Sequence, residues 1–289
     1  KEITDEGEQE FLANTLEKFS NRLWRKPKTR KHYRYDVAML VNAEESMPPS
    51  DKKALSNFIK AADKLGINLE LIGKKDYVRL AEYDGLFIRE TTSIDHHTYR
   101  FAKKAEAEGM VVIDDPTSIL RCTNKVYLAD LLRANKVPTP KTLLLSRTDK
   151  ESLQEAIDYL GLPMVLKIPD GAFSRGMYKA NNMEELVDAM KKLSKTSALV
   201  LAQEFLYTEY DWRIGVLNNK PLYACRYFMV KGHWQIYRHD DGKKAATGGF
   251  ETMPTYEVPQ AVLEASLKAC RLIGDGFYGV DVRSEEHTL

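Results

Sequence analysis

The sequence lacks several features that would place it in other classes of protein. Its 289 residues contain three cysteines, Cys122, Cys225 and Cys270, and no C-x-x-C pair. This spacing argues against structural zinc, redox or disulfide-framework chemistry and favours a reducing, cytoplasmic setting. No apolar run approaches the length of a bilayer span and no signal peptide is visible, so no membrane contact is predicted. Internal repeats and low-complexity tracts are also missing.

A strong net charge is missing as well. Lys and Arg total 43 against 42 Asp and Glu, which gives a formal net charge of +1. Without a global positive field the chain is not expected to be a general nucleic-acid binder, and no direct contact with nucleic acid is predicted. A local basic run at residues 26–34, broken by Pro27, is more typical of a solvated linker than of a binding patch.

The order of hydrophobic segments predicts a chain of α/β and α+β character in three parts. Residues 1–34 are predicted to form an amphipathic helix followed by the basic linker. Residues 35–121 alternate strands with helices, which indicates a parallel wound sheet that presents ligand groups at the carboxyl ends of its strands. Residues 122–289 begin with helices and short strands and then change to hairpins from Trp212 onward.

Some predicted boundaries are specific enough to check. Ser50 is the predicted N-cap of a helix that Gly66 ends. A helix is predicted to open within residues 120–128 and to run to about Ala134. Asn218 and Asn219 carry the signal of a hairpin turn, and residues 233–237 are predicted as a further strand after that hairpin.

One stretch, residues 163–177, indicates a chemistry by itself. Lys167 lies inside an apolar, strand-like run, and burying its ammonium group is costly unless an anion meets it. A loop follows whose glycines and hydroxyl can bring backbone N–H groups close to phosphate oxygens; it contains Gly171, Ser174, Arg175 and Gly176. We interpret this stretch as a clamp on a polyphosphate, although the Walker A spacing is absent. The alternative is a hairpin whose lysine reaches solvent.

Further candidate residues lie on both sides of this stretch, and their order along the chain is informative. They are Asn124-Lys125 at a helix start, Val137-Pro-Thr-Pro140, Gln203-Glu204-Phe205, Asp211-Trp-Arg213, Arg226, Gly248-Gly249 and Gly279-Val-Asp-Val282. Together with Lys167 and its loop, their order and spacing resemble the ATP-grasp superfamily, and within it the RimK-like alpha-L-glutamate ligases. The resemblance covers roughly residues 115–282. It implies an ATP-grasp fold at residues 122–289, preceded by the wound parallel α/β domain.

The resemblance implies a nucleotide site. Lys125 and Lys167 would hold the ATP phosphates, and the flexible loop would close on them. Gln203, Glu204 and Phe205 match the hinge that reads adenine, with a carboxylate and backbone groups facing the base edge. Asp211 matches the acidic residue near the ribose. Taken singly, Lys125 could instead be a solvated helix lysine and Glu204 a surface charge at a strand end.

The resemblance also implies catalytic and metal positions. Arg213 and Arg226 match basic positions near the γ-phosphate and the acyl-phosphate, and are the candidate catalytic residues. Asp281 matches the first magnesium ligand, with manganese as an alternative metal. The structural alternatives are a cross-strand salt bridge for Arg226 and a capping role for Asp281.

The implied activity is ATP-dependent carboxylate–amine ligation. ATP converts a carboxylate into an acyl-phosphate, and an amine then attacks to form an amide. Phosphoryl transfer needs positioning and charge neutralisation, which lysines, arginines and magnesium supply. The expected substrates are an amino acid, with glutamate as the leading candidate, and a peptide, protein or small-molecule acceptor. An oligomer is compatible with the sequence.

The sequence departs from the family pattern at two places. The strand with Asp281 is normally followed by a Glu-x-Asn pattern that completes the magnesium site. Glu285 and Glu286 match it only in charge, so we expect the C-terminal end of the ATP-grasp part to be incomplete. The basic and amide cluster after the catalytic arginine is replaced by a segment whose candidates are Lys231, Gln235 and Arg238.

Two other functions stay open at this point. The first is a catalytically silent, nucleotide-binding ATP-grasp module that acts as an interaction domain. The second is ligation of two free amino acids or a dipeptide, as in D-alanine ligase relatives.

Overall fold

The computed structural model describes residues 5–20, 32–146, 148–169, 176–238 and 246–284. Residues 26–31 of the basic run, the loop residues Gly171, Ser174 and Arg175, and Glu285 and Glu286 lie outside this part of the chain. Helix α1 (Glu6–Ser20) precedes the first sheet. No helix among the described residues has the length and apolar character of a membrane span.

The first sheet confirms the prediction of a parallel wound sheet. Its strand order is β2-β1-β3-β4 and every neighbouring pair is parallel. The strands are β1 (Tyr35–Leu40), β2 (Ile67–Ile72), β3 (Gly85–Ile88) and β4 (Val111–Ile113). Between them lie α2 (Lys52–Lys64), a 3-10 helix (Lys74–Glu82) and α3 (His97–Ala107). Leu40, Leu86 and Phe101 are nearly inaccessible to solvent and form the core between this sheet and α3.

The predicted N-cap of α2 is wrong by one residue. Asp51 is the cap, because its side chain accepts a hydrogen bond from the backbone N–H of Ala54 at 2.7 Å. The hydroxyl of Ser50 accepts instead from Nε of Arg89, at 2.9 Å. Ser50 therefore ties the start of α2 to the end of β3 rather than capping the helix.

Helix α5 (Lys125–Ala134) confirms the helix predicted to open within residues 120–128 and to run to about Ala134, and a separate helix, α4 (Pro116–Thr123), precedes it. The two helices are separated at Asn124. Asn124 is extended, with φ −89° and ψ 96°, and its side chain accepts from the N–H of Tyr127 at 3.0 Å. An asparagine in this position ends one helix and caps the next, which makes Lys125 the first residue of α5.

The second sheet carries the lysine strand. It is antiparallel, with strand order β5-β8-β6-β7. Its strands are β5 (Thr142–Leu145), β6 (Met164–Lys167), β7 (Met177–Ala180) and β8 (Val200–Glu204). Helices α6 (Lys150–Leu160) and α7 (Met183–Leu193) follow β5 and β7 in the chain. Leu153, Leu166, Leu186 and Met190 are fully buried in the core that these elements share.

The third sheet is antiparallel, with strand order β13-β10-β9-β14. Its elements, with the two-stranded sheet beside it, are β9 (Tyr210–Leu217), β10 (Lys220–Phe228), β11 (Tyr237–Arg238), β12 (Ala246–Thr247), β13 (Phe250–Met253), α8 (Gln260–Ile273) and β14 (Phe277–Val282). The predicted hairpin turn is confirmed: Asn218 and Asn219 have φ of 48° and 56°, as a two-residue turn requires. Trp212 and Ile214 are buried in a core shared with α8.

The strand predicted at residues 233–237 is largely wrong. The chain turns there instead, because the N–H of His233 donates to the carbonyl of Val230 at 2.8 Å and Gly232 has φ +71°. Only Tyr237 of that range lies in a strand.

Helix α4 joins the first sheet to the third. Arg121 donates to the carbonyl oxygens of Leu272 and Ile273 at 3.1 and 2.9 Å, and the hydroxyls of Ser118 and Tyr278 are 2.8 Å apart. The predicted boundary between residues 121 and 122 falls inside α4. The division at residues 34, 121 and 289 stays a prediction.

Candidate active site

A cleft of about 850 Å³ is lined by residues of the second and third sheets and of helices α5 and α8. It brings together residues that are far apart in the sequence. The predicted site residues that line it are Lys125, Lys167, Gln203, Glu204, Asp211, Arg213 and Asp281. Phe205, Gly176 and Arg226 are not among its lining residues.

Two lysines project into this cleft from different elements. Nζ of Lys167, on β6, donates to Oε1 of Gln203 at 3.0 Å, and Nε2 of Gln203 donates to Oγ1 of Thr142 at 2.9 Å. Nζ of Lys125, at the start of α5, donates to the carbonyl of Pro169 at 2.9 Å. Burial, with Lys125 and Arg283 nearby, lowers the pKa of Lys167 to about 8. These contacts are to neutral oxygens, and an anion beside Lys167 would restore its ordinary pKa.

Asp211 is held by an arginine that the sequence analysis missed. Nε of Arg283 donates to Oδ1 of Asp211 at 2.8 Å, and Nη1 donates to the carbonyl of Leu206 at 2.8 Å. Asp211 is only 8% exposed, and burial raises the pKa of its carboxyl group. The available signal was strand alternation, since Asp281 and Arg283 are two residues apart and point to the same side of an extended chain.

Arg213 and Asp281 form a cross-strand pair. They are directly opposite each other on β9 and β14, with Nε to Oδ1 at 2.5 Å and Nη2 to Oδ2 at 2.7 Å. Such two-point contact between a guanidinium and a carboxylate is geometrically specific. Asp281 therefore lines the cleft as predicted, but with both oxygens bonded to Arg213. Its role as a magnesium ligand stays a prediction.

Two residues of the predicted adenine hinge, Glu204 and Phe205, make contacts within the protein. Oε1 of Glu204 accepts from the N–H of Lys141 at 2.7 Å, and the N–H of Glu204 donates to the carbonyl of Lys141 at 3.0 Å. The ring of Phe205 lies 3.9 Å from Nζ of Lys179 and makes an edge contact with Trp234, at 6.0 Å between centroids. Trp234 lines the cleft and was not predicted.

Arg226 lies on β10 opposite Glu251 of β13. Its Nη1 is 3.6 Å from Oε2 of Glu251, and its guanidinium carbon lies 5.1 and 5.0 Å from the rings of Tyr210 and Trp212. These contacts are those of the cross-strand salt bridge that was the structural alternative for this residue.

The three candidate residues of the acceptor site differ in where the structure places them. Gln235 lines the cleft, and its Oε1 is 3.1 Å from Nε2 of His233. Lys231 is exposed and is not a lining residue. The side chain of Arg238 lies outside the described residues. Gln235 is thus the candidate whose described position supports a role in the acceptor site.

Two antiparallel sheets that enclose a cleft, with a lysine strand in one and a paired Asp281 in the other, define the class of fold as ATP-grasp. A family model described as "D-ala D-ala ligase C-terminus" matches residues 131–288, more than half of the chain. The chain therefore belongs to this family of ATP-grasp ligases. The match covers the second and third sheets, and the predicted resemblance is confirmed at that level.

Two proteins that this chain resembles in sequence are ligases by name. The chain is 29% identical over 255 residues to the alpha-aminoadipate–LysW ligase LysX of Saccharolobus solfataricus, covering 82% of this chain and 84% of the relative. It is 25% identical over 167 residues to a probable alpha-L-glutamate ligase of Legionella pneumophila, covering 57% of this chain and 55% of that protein. The chain thus spans most of the first relative and about half of the second.

The fold itself is shared with a solved ligase. The D-alanine–D-alanine ligase of Bacillus anthracis, determined in complex with ATP, superposes with a TM-score of 0.63 at 16% identity, covering 87% of this chain and 82% of that one. At this identity the likeness concerns the fold alone.

Proposed function

We propose that this protein is an ATP-dependent ligase that activates a carboxylate as an acyl-phosphate and joins it to the amino group of an acidic amino acid. The observation that carries the proposal is the cationic end of the cleft. Lys167 has Lys125 and Arg283 as positive neighbours, and its hydrogen bond goes to the neutral amide oxygen of Gln203. A triphosphate would supply the negative charge that this end of the cleft favours.

The side chains then have distinct proposed tasks. Lys125 and Lys167 bind phosphate oxygens and neutralise charge as it moves during phosphoryl transfer. Gln203 orients the ammonium of Lys167 through its amide oxygen. Gln203, Glu204 and Phe205 form the adenine side, and Asp211 lies near the ribose with Arg283 bonded to it. Arg213, which lines the cleft, is the proposed catalytic residue on the third sheet, whereas Arg226 does not line the cleft and pairs with Glu251.

Asp281 fits magnesium as a single hard ligand. It is a carboxylate, it lines the cleft, and its side chain is 48% exposed. Proteins often bind magnesium through one or two carboxylates, and waters and phosphate oxygens fill the other coordination positions. One protein ligand is therefore compatible with a magnesium site. Magnesium, or manganese in its place, would contribute positive charge between phosphates. Arg213 holds Asp281 in place on β14 for this task.

The proposed substrate class follows from the family and from the relatives. Alpha-aminoadipate and alpha-L-glutamate, which the names of the two relatives contain, are both amino acids with a side-chain carboxylate. We propose an amino acid of that type, glutamate first, as the amine donor. The acceptor carboxylate would belong to a peptide, a protein tail or a small molecule, in the manner of RimK-like ligases.

A specific observation favours a second function. Each carboxylate that lines the described cleft is already bonded within the protein: Glu204 to the backbone of Lys141, Asp211 to Arg283, and Asp281 to Arg213. A nucleotide-binding module without turnover would show the same arrangement. In that case the cleft would serve to regulate an interaction rather than to catalyse ligation.

An assay of the whole protein separates the two functions. Phosphate release is measured with ATP and magnesium, with glutamate or alpha-aminoadipate, and with a panel of carboxylate acceptors. A ligase should release phosphate only when an amine and an acceptor are both present, and mass spectrometry should show the acceptor heavier by one amino acid less water. Tight ATP binding without product for any pair in the panel would support the silent module instead.

A further inference from the structure

A second polar cluster lies in the first sheet, apart from the cleft. Glu90 follows β3, and His96 and His97 begin α3, which is the next helix along the chain. One ligand atom from each of these three side chains lies within 4.8 Å of the others. The carboxyl ends of parallel strands are where such sheets bind ligands, and none of the three residues lines the cleft described above.

The burial of this cluster is unusual for polar groups. The side chain of Glu90 is 1% exposed and that of His97 is 8% exposed, and Oε2 of Glu90 lies 2.6 Å from Nε2 of His97. The two groups are close but not aligned for a hydrogen bond. Within the described part of the chain, both carboxylate oxygens of Glu90 and Nε2 of His97 are buried without a hydrogen-bond partner. Buried polar atoms are normally satisfied, so these three require an explanation.

The second histidine is oriented in the way that metal ligands usually are. Nδ1 of His96 lies 3.2 Å from Oγ1 of Thr98, which is itself fully buried. If Nδ1–H donates to this hydroxyl, Nε2 of His96 keeps its lone pair available. A histidine that ligates a metal commonly donates its other ring N–H to a fixed acceptor in this way. The imidazole rings of His96 and His97 are 3.9 Å apart between centroids, so both nitrogens can approach one ion.

Charged groups lie around the cluster. Glu45 is close enough to favour a positive charge at this place, while Lys74 and Arg100 oppose it. A bound cation would offset the cost of burying the carboxylate of Glu90.

We propose that Glu90, His96 and His97 bind a divalent transition-metal ion of the zinc class. Two imidazole nitrogens and one carboxylate form a three-ligand set that suits zinc and leaves a fourth position for water or another ligand. The same set is poorly suited to magnesium, which prefers an all-oxygen environment. The site is therefore separate in both position and chemistry from the proposed nucleotide site, and it does not depend on the proposed ligase activity.

Zinc binding to the whole protein, purified without a polyhistidine tag and stripped with a chelator, tests this proposal. Competition with a chromogenic chelator, without ATP, should give about one tightly bound zinc per chain. Cobalt at the same site should show the strong visible absorption of a four- or five-coordinate ion. A large excess of magnesium should displace neither metal.

Variants identify the ligands. Because Glu90 and His97 are buried, the main test is His96→Ala, whose side chain is only partly buried and whose loss should leave the fold intact by circular dichroism. Its zinc affinity should fall by more than the roughly 10–100-fold that loss of an outer hydrogen-bond partner costs. Glu90→Gln should also lower the zinc affinity. His32→Ala is the control, because His32 is exposed and far from Glu90, His96 and His97 in the sequence. It should bind zinc like the unmodified protein. Unchanged zinc affinity in His96→Ala, displacement by magnesium, or the absence of stoichiometric zinc in the folded protein would each overturn the proposal.

Discussion

Lys167 is the residue on which the proposed nucleotide site depends most. Its ammonium group lies within a strand, hydrogen-bonds an amide oxygen, and has Lys125 and Arg283 as its positive neighbours. A buried cation in such surroundings is stabilised when a polyanion binds. Predictions for single side chains therefore begin with this lysine.

Replacing Lys167 with alanine should weaken ATP binding strongly. The loss of hydrogen bonds from a charged group to phosphate should cost on the order of 1.5–3 kcal/mol of binding free energy. Lys192→Ala, at an exposed lysine on α7, is the matched control and should bind ATP like the unmodified protein. Isothermal titration calorimetry measures both, and equal affinities for the two variants would remove Lys167 from the site.

The lowered pKa of Lys167 predicts how ATP binding depends on pH. In the free protein its pKa is about 8, and a bound triphosphate should raise it, because a nearby anion favours the charged form. The complex then holds more protons than the free protein above pH 7, so ATP affinity should fall as the pH rises through 8. Lys167→Arg, which stays charged, should lose this dependence. The same pH slope in both proteins would show that another group titrates.

At the scale of elements, β9 and β14 hold the third-sheet side of the cleft through paired charges. Arg283 and Asp211 form one such pair, and Asp211 is almost completely buried. Arg283→Ala should destabilise the protein by up to about 3–5 kcal/mol, because it leaves a buried carboxylate without its partner. The value should lie at the lower end, since the side chain of Arg283 is 27% exposed.

A double variant isolates the cause. Adding Asp211→Asn to Arg283→Ala removes the unpaired charge, so the double variant should recover part of the lost stability. Urea unfolding of the single and double variants measures this difference. A double variant that is less stable than Arg283→Ala by the full cost of Asp211→Asn alone would mean that the two side chains do not interact.

Gly248 is required by packing at the end of β10. A Cβ atom there would collide with the backbone oxygens of Phe228 and Met229. Gly248→Ala should therefore destabilise the third sheet, by an amount typical of strained core substitutions, roughly 1–3 kcal/mol. Gly73→Ala is the control, because a Cβ at Gly73 meets no atom within 4 Å. Thermal unfolding compares the two, and similar midpoints would contradict the packing argument.

The elements that the sequence predicted best are those with strong local signals. The strands of the first sheet and the turn at Asn218 and Asn219 follow from alternation and turn chemistry, and both are confirmed. The helix start at Asn124-Lys125 was predicted, whereas the separate helix α4 before it was not, because a helical pattern continues on either side of Asn124. Strands β7 and β13 were missed because short edge strands have weak patterns and depend on their partners.

At the scale of the whole molecule, the order of motifs predicted the family and the fold, although no motif is specific alone. The cleft then brings together seven of the predicted site residues from five elements. The sequence did not predict which charges pair across it. Arg213 with Asp281, and Arg283 with Asp211, depend on the register of β9 against β14, which is a property of tertiary structure.

The fate of the carboxylate oxygens tests the central proposal most directly. The whole protein is incubated with ATP, magnesium, an acidic amino acid and an acceptor whose carboxylate carries oxygen-18, and the released phosphate is analysed by mass spectrometry. Attack of the acceptor carboxylate on the γ-phosphate, followed by amide formation, predicts ADP, amide product and phosphate that contains the label. Unlabelled phosphate beside amide product, or AMP with pyrophosphate, would contradict an acyl-phosphate ligase.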